Sequence, residues 1–240
     1  MIFNNYDRNT FLLKETSNEP RALYKLPNNY RVILEVELNR RIQRISGSKG
    51  EKILIGGTNG VGKTKFFVYL LNDYKSQVFL ENLDSEITAT IFLTYDEFYS
   101  VISYLEQDPL ILNGTVLDNL FLPLSEKMRV LEVVAKYDRL NEILSDHIRS
   151  NRVFTNNRVD YDTKSAISLL RALYLAENRE ILLFDDPDEI YLDEIFRVNK
   201  DKCILITGHY SKEAESKFNR VVRITAPNSV ESSTEDQSGV

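Results

Sequence analysis

Apolar residues along the chain fall first into short strand-like blocks, then into helical spacing, then into strand-like blocks again. Residues 1–20 are polar and aperiodic and read as a flexible lead-in. RALYKL and RVILEVEL predict strands on either side of the turn Pro27-Asn28-Asn29. Ser46-Gly47-Ser48-Lys49-Gly50 predicts a turn leading into the buried strand KILI. A helix is expected over KTKFFVYLLNDY, then strands at ITATIFLT and VISYLEQ flanking a short YDEFY element. Helical spacing takes over in TVLDNLF, SEKMRVLEVVAKYDRLNEILSDHI and TKSAISLLRALYLAEN, and strands return at EILLFDD, KCILITGH and VVRIT. Helices set between strand-rich parts predict a lobe inserted into an α/β core. The expected division is a lead-in over 1–20, a core over 21–108 and 179–226, a helical lobe over 109–178, and an acidic, disordered tail over 227–240.

The 240 residues, 42% hydrophobic and 28% charged, suffice for a substantial core. The longest uninterrupted apolar run, Phe66 to Leu71, is six residues, against the roughly 20 that a helical span of a bilayer needs. The opening MIFNNYDRNT has no apolar core region of the signal-peptide kind. The single cysteine, Cys203, excludes an intramolecular disulfide and fits a reducing compartment. A net charge of -6 argues against a general nucleic-acid binder.

The glycines change the picture. Four of the nine, Gly56, Gly57, Gly60 and Gly62, fall within seven residues, which marks a backbone with a special task. Gly57-Thr58-Asn59-Gly60-Val61-Gly62-Lys63-Thr64 matches GxxxxGK[ST], directly after the strand KILI and opening the predicted helix. Glycines let the chain bend so that successive N–H groups point at phosphate oxygens, and the helix start adds its positive end. Lys63 is placed to reach the β- and γ-phosphates, and the Thr64 hydroxyl to ligate Mg²⁺. The apolar strand ILLF ends in Asp185-Asp186. In proteins with such a phosphate loop a carboxylate at that point sits beside the Mg²⁺ site, so Asp185 is the metal-side candidate and Asp186 could polarise an attacking water.

In the order of these motifs the chain resembles the nucleotide-binding domain of ABC transporters, particularly the exporter type. YLEQDPLILNGTVLDNL resembles that family's Q-loop, LLRALYLAENREILLFDD its helix leading into the acidic strand, and CILITGHY the strand ending in its switch histidine. The resemblance implies a P-loop NTPase core with a mainly parallel sheet, an N-terminal β subdomain and an inserted α-helical lobe. It implies ATP and Mg²⁺ as ligands, with Gln107 touching the metal and the attacking water, and His209 touching the γ-phosphate. The family stacks adenine on an aromatic residue upstream of the phosphate loop; Tyr24 and Tyr30 are both candidates, Tyr24 preferred for its strand-end context. The implied partners are a transmembrane domain, in the same or a separate chain, and a second nucleotide-binding domain, identical or complementary. The implied location is the cytoplasmic face of a membrane, reached through the partner domain.

The chain also departs from the family. Where the signature LSGGQ belongs, before Arg171-Ala172-Leu173, stands Val159-Asp160-Tyr161-Asp162-Thr163, with no glycine and two carboxylates. Asp186 replaces the usual glutamate and is one methylene shorter, and the stretch from Asp185 to His209 is shortened around Ile190-Tyr191-Leu192-Asp193. These departures lead to an expectation of ATP binding with weak intrinsic hydrolysis. Two alternatives stand beside it: a non-hydrolysing pseudo-ATPase, and a soluble ABC-like ATPase not coupled to a membrane. A small-molecule kinase also opens with a phosphate loop, but needs no Q-loop-like segment.

Overall fold

The computed structural model describes residues 25–38, 40–71, 76–85, 90–107, 110–155 and 158–224. The expected lead-in and tail, the stacking candidate Tyr24, and the greater part of the strand expected at RALYKL lie outside these residues.

Two sheets organise the described chain. The first is antiparallel and four-stranded, in the order β2 (Arg41–Ser48), β1 (Tyr30–Leu38), β4 (Ser76–Asn82), β5 (Thr90–Phe92). The second is parallel and five-stranded, in the order β6 (Ile102–Leu105), β7 (Ile181–Asp185), β8 (Cys203–Thr207), β3 (Lys52–Gly56), β9 (Arg220–Arg223). Side chains alternate across a strand, so each central strand of the parallel sheet feeds two cores. Ile53, Ile55, Ile181, Leu183, Cys203 and Leu205 pack with β1 and with the helix α1 (Lys63–Leu70). Leu54, Leu182, Phe184, Ile204 and Ile206 pack on the opposite side, against helices. Being covered on both faces, these strands read as unbroken apolar runs, which makes them legible in the sequence.

The helices on that second side are α3 (Val116–Asn119), α4 (Lys127–Val134), α5 (Asp138–Arg149), α6 (Tyr161–Ala176) and α7 (Leu192–Val198). The segment YDEFY is helical, as α2 (Tyr95–Val101), and α8 (Lys212–Glu215) precedes β9. Capping residues set the starts: Thr94 with Glu97 and Thr115 with Asp118 form reciprocal capping boxes, and Asp160 caps α6. The sixteen-residue α6 lies against β6, where the buried Ser103 hydroxyl donates to the Ala172 carbonyl at 2.6 Å.

Several expectations are corrected. The helix expected over residues 125–148 is two helices, because Tyr137 takes an extended backbone that turns its buried hydroxyl to accept from Asn199 Nδ2 at 3.1 Å. The turn expected over Ser46–Gly50 begins only after Ser48, the last residue of β2. Ser46 and Gly47 lie within that strand, opposite Ile33 and Val32. A Cβ on Gly47 would meet Cys203 Sγ at 2.5 Å and Ile53 Cδ1 at 2.9 Å. Glycine is thus needed there for the two sheets to approach, not for a turn. The strand at VISYLEQ starts at Ile102, since Val101 ends α2, and within ITATIFLT the described strand is Thr90–Phe92. Strands β2 and β4 are additional to those that the apolar pattern predicts. Among the described residues no helix is long and apolar enough to cross a membrane.

Candidate functional site

The parallel sheet brings four strand ends side by side. The loops that follow β6, β7, β8 and β3, neighbours in that order, open on one cleft of about 400 Å³. Asn59, Gly60, Gly62, Lys63, Thr64, Gln107, Asp185, Asp186 and His209 line it, joined by Lys65, Thr207 and Gly208. A crevice beyond the carboxyl ends of parallel strands is where open α/β sheets bind ligands.

The loop after β3 needs its glycines. Gly57 has φ of 142°, and a Cβ there would lie 2.7 Å from the Ile224 carbonyl oxygen. Gly62, at φ 110°, is the N-cap of α1 and provides no capping side chain, and the helix has no acidic residue in its first turn. The first N–H groups of α1 therefore carry their positive end toward the cleft without a carboxylate to neutralise it. Val61 is buried, so only its backbone can serve a ligand.

The functional side chains contact one another. Lys63 Nζ donates to the carbonyls of Gly57 at 2.9 Å and Thr58 at 3.4 Å, and lies 2.7 Å from His209 Nε2. An ammonium can only donate there, so that contact assigns His209 the tautomer with a bare Nε2. The Thr64 hydroxyl lies 3.2 Å from Asp185 Oδ1 and 3.4 Å from Gln107 Oε1, and Gln107 Nε2 donates to Asp186 Oδ2 at 3.1 Å.

Asp185 is the buried member of the set. Its Oδ1 accepts from Thr64 and Thr207, while Oδ2 is buried with no hydrogen-bond partner. Burial raises its pKa above the ordinary 3.8, against the lowering effect of the two threonine hydroxyls; Asp186 adds to the rise and Lys63 opposes it. An orphaned carboxylate oxygen beside a threonine hydroxyl fits a hard cation. Among the described residues no group of three His, Cys, Asp or Glu side chains is placed to hold a metal. A cation here would thus take its other oxygens from Gln107, phosphate and water. Asp186 follows at φ 55°, a left-handed conformation, its N–H donating to Thr207 Oγ1 and to the Thr207 carbonyl, each at 3.1 Å.

The family model for ABC transporters matches residues 43–189. The chain belongs to the ABC transporter family. It is 27% identical over 157 residues to an ATP-dependent lipid A-core flippase of Francisella novicida, a match covering 62% of this chain and 25% of the flippase. Its fold is similar to that of a bacterial Atm1-family ABC exporter solved with ATP bound, with a TM-score of 0.60 and 16% identity, over 90% of this chain and 41% of the exporter chain. The chain thus spans about a quarter of the flippase and less than half of the exporter. Membership of the family implies nucleotide binding.

Two further features of this ABC transporter domain bear on the site. Tyr30, the second stacking candidate, is buried and its hydroxyl donates to the Glu180 carbonyl at 2.9 Å, so its ring belongs to the core. At the start of α6, Asp160 accepts from the Thr163 N–H at 2.8 Å, and the exposed Tyr161 donates its hydroxyl to Asp188 at 3.0 Å. Motifs and spacing mark neither Thr207 nor the contacts of Asp188. The available signal for Thr207 is that CILIT and ILLFD are both buried runs, which end opposite each other once the strands pair, Asp185 with Thr207.

Proposed function

We propose that this chain is the ATP-binding domain of an ABC-type exporter, that it binds ATP with Mg²⁺ in the cleft, and that it drives or regulates transport by a transmembrane partner domain. The observation that carries the reading is the convergence of Lys63, Thr64, Gln107, Asp185 and His209 on one cleft at the ends of parallel strands. The flippase and exporter similarities favour export over a membrane-independent ATPase. In this reading Gly57 to Gly62 wrap the phosphates, Lys63 reaches the terminal ones, and Thr64, Asp185 and Gln107 hold the cation. A bound Mg²⁺ neutralises charge on the β- and γ-phosphates. Asp186 orients the water that attacks the γ-phosphorus, the bond to the leaving ADP oxygen breaks, and His209 holds the γ-phosphate.

Hydrolysis is proposed to be weak. Asp186 carries a shorter side chain than the family's glutamate, and misplacement of a reacting atom by about 1 Å can lower a rate about 100-fold. The proposed setting is the cytoplasmic face of a membrane, in a pair with a second nucleotide-binding domain, identical or complementary. Binding of ATP and Mg²⁺ by the full chain, measured by calorimetry beside Lys63→Ala, tests the reading. An affinity loss of at least about tenfold is expected, since hydrogen bonds to charged groups contribute about 1.5–3 kcal/mol. Equal affinity in the two proteins would overturn it.

A further inference from the structure

Each residue of the segment after β7 is held by a side chain or backbone group from elsewhere in the chain. Gln107 binds the Asp186 carboxylate, the Tyr161 and Ser165 hydroxyls bind Asp188, and Ser211 donates its N–H at 3.0 Å and its hydroxyl at 2.7 Å to Glu189. Between them, the Tyr210 hydroxyl donates to the Pro187 carbonyl at 2.9 Å, with the Thr207 carbonyl at 3.2 Å. Tyr210 follows His209 directly and Pro187 follows Asp186 directly, so this one hydroxyl ties the loop of the histidine to the loop of the carboxylate.

The Tyr210 ring is itself fixed. It stacks on Phe218 with centroids 6.1 Å apart and planes 28° from parallel, and Phe218 in turn packs edge-on against Phe196. Gly208 also lies against it: a Cβ there would come within 2.6 Å of the ring, at a φ of 155°. Burial, then the nearby carboxylates of Asp186 and Asp188, push the phenol well above its ordinary range, so it remains a donor at any physiological pH. Asp186 stands in a left-handed conformation that persists only where its surroundings over-determine it.

We propose that Tyr210 is a positioning residue, which fixes Asp186 and His209 relative to each other and thereby sets how well the cleft distinguishes a nucleoside triphosphate from a diphosphate. The inference rests on reading the cleft as an ATP site. His209 Nε2 is 2.7 Å from Lys63 Nζ, the group that reaches the terminal phosphate, so only a triphosphate extends between the two tethered loops. A diphosphate is held by the loop after β3 and the start of α1, whereas the Tyr210 hydroxyl bonds the Pro187 and Thr207 carbonyls and its ring stacks on Phe218.

Tyr210→Phe removes the hydroxyl and keeps the ring. Affinities of the full chain for ATP and ADP, each with Mg²⁺, are measured for the native protein, for Tyr210→Phe and for Gly208→Ala, whose methyl would displace the ring. The expected result is a fall of about fivefold in the ATP-to-ADP affinity ratio, the usual net effect of one hydrogen bond, with ADP affinity within about twofold of native. Gly208→Ala is expected to change the ratio in the same direction. A ratio that stays constant in both variants, or ATP and ADP weakening together, overturns the positioning role while leaving the ATP site standing. A native chain that binds neither nucleotide overturns the ATP-site reading and this inference with it.

Discussion

Asp185→Asn separates a carboxylate held for a cation from one that anchors the fold. The residue is 1% exposed and its Oδ2 has no hydrogen-bond partner among the described residues. Because burial raises its folded-state pKa above 3.8, the folded chain binds this proton more tightly than the unfolded chain between 3.8 and the raised value. Stability therefore falls as pH rises through that window, and the penalty is complete above it. Asparagine keeps the shape and one acceptor for Thr64 and Thr207 while removing the charge. A buried neutral polar group left unsatisfied costs about 1–3 kcal/mol and a charged one costs more, so exchanging the unsatisfied carboxylate for an amide is expected to gain about 1 kcal/mol. For a chain of this size that is about 2–4 °C in Tm. The assay is thermal unfolding without nucleotide over a pH series descending from neutral toward 3.8, then with ATP at neutral pH in the presence and absence of Mg²⁺. The variant should unfold at a higher temperature than native without nucleotide, with the gap narrowing toward acid pH. With ATP it should lose the increment that Mg²⁺ adds to the native protein. A variant less stable than native that keeps the whole Mg²⁺ increment would refute the reasoning, because Asp185 would then be a structural anchor and not a cation ligand.

Gly47→Ala should destabilise by about 1–3 kcal/mol in urea unfolding, because its Cβ would meet Cys203 Sγ at 2.5 Å. Adding Cys203→Ala should recover part of that loss; strictly additive effects would show that the two sheets do not meet there. Asp160→Ala should cost about 1 kcal/mol by removing the cap on α6. Hydrogen bonds from Thr163 hold the Asp160 pKa below 3.8, so this contribution is full above 3.8 and disappears as pH falls through the folded value; a native-to-variant difference constant across acid pH would count against the cap.

The phosphate loop is legible in the sequence because its chemistry is written in consecutive residues. Asp185 is legible because β7 is covered on both faces and so reads as an apolar run that stops at a carboxylate. Gln107 and His209 stand out only through motif order, since neither spacing nor residue type marks a lone glutamine or a strand-end histidine. Strand β2 leaves no apolar trace because its first four residues are exposed or half-buried and only Ile45 and Gly47 are buried. The break between α4 and α5 is hidden for another reason. Val130, Val133, Val134, Tyr137, Leu140, Leu144 and Ile148 are all buried, so helical spacing runs straight through the break. The pattern reports which side chains face the core, and both helices face the same one. Thr207 and Tyr210 act through strand register and through a bond to a distant carbonyl, which no local pattern encodes.

The starts of α1 and α6 differ in a way that magnitudes can weigh. A helix start carries unsatisfied N–H groups and about half a unit of positive charge. At α1 no side chain caps the start and no acid stands in the first turn; Lys63, Lys65 and the helix dipole favour phosphate there, while Asp185 and Asp186, which line the same cleft, oppose it unless a cation stands between. At α6 the Asp160 carboxylate already accepts from the Thr163 N–H, and Asp162 stands in the first turn. A helix end contributes about 0.3–1 kcal/mol toward an exposed anion. One carboxylate at about 4 Å opposes that anion by about 4 kcal/mol at an effective dielectric near 20. The repulsion exceeds the attraction several-fold, and Tyr161 is turned to Asp188 of its own chain. The start of α1 is thus free of acidic side chains, whereas the start of α6 carries two carboxylates that disfavour an anion.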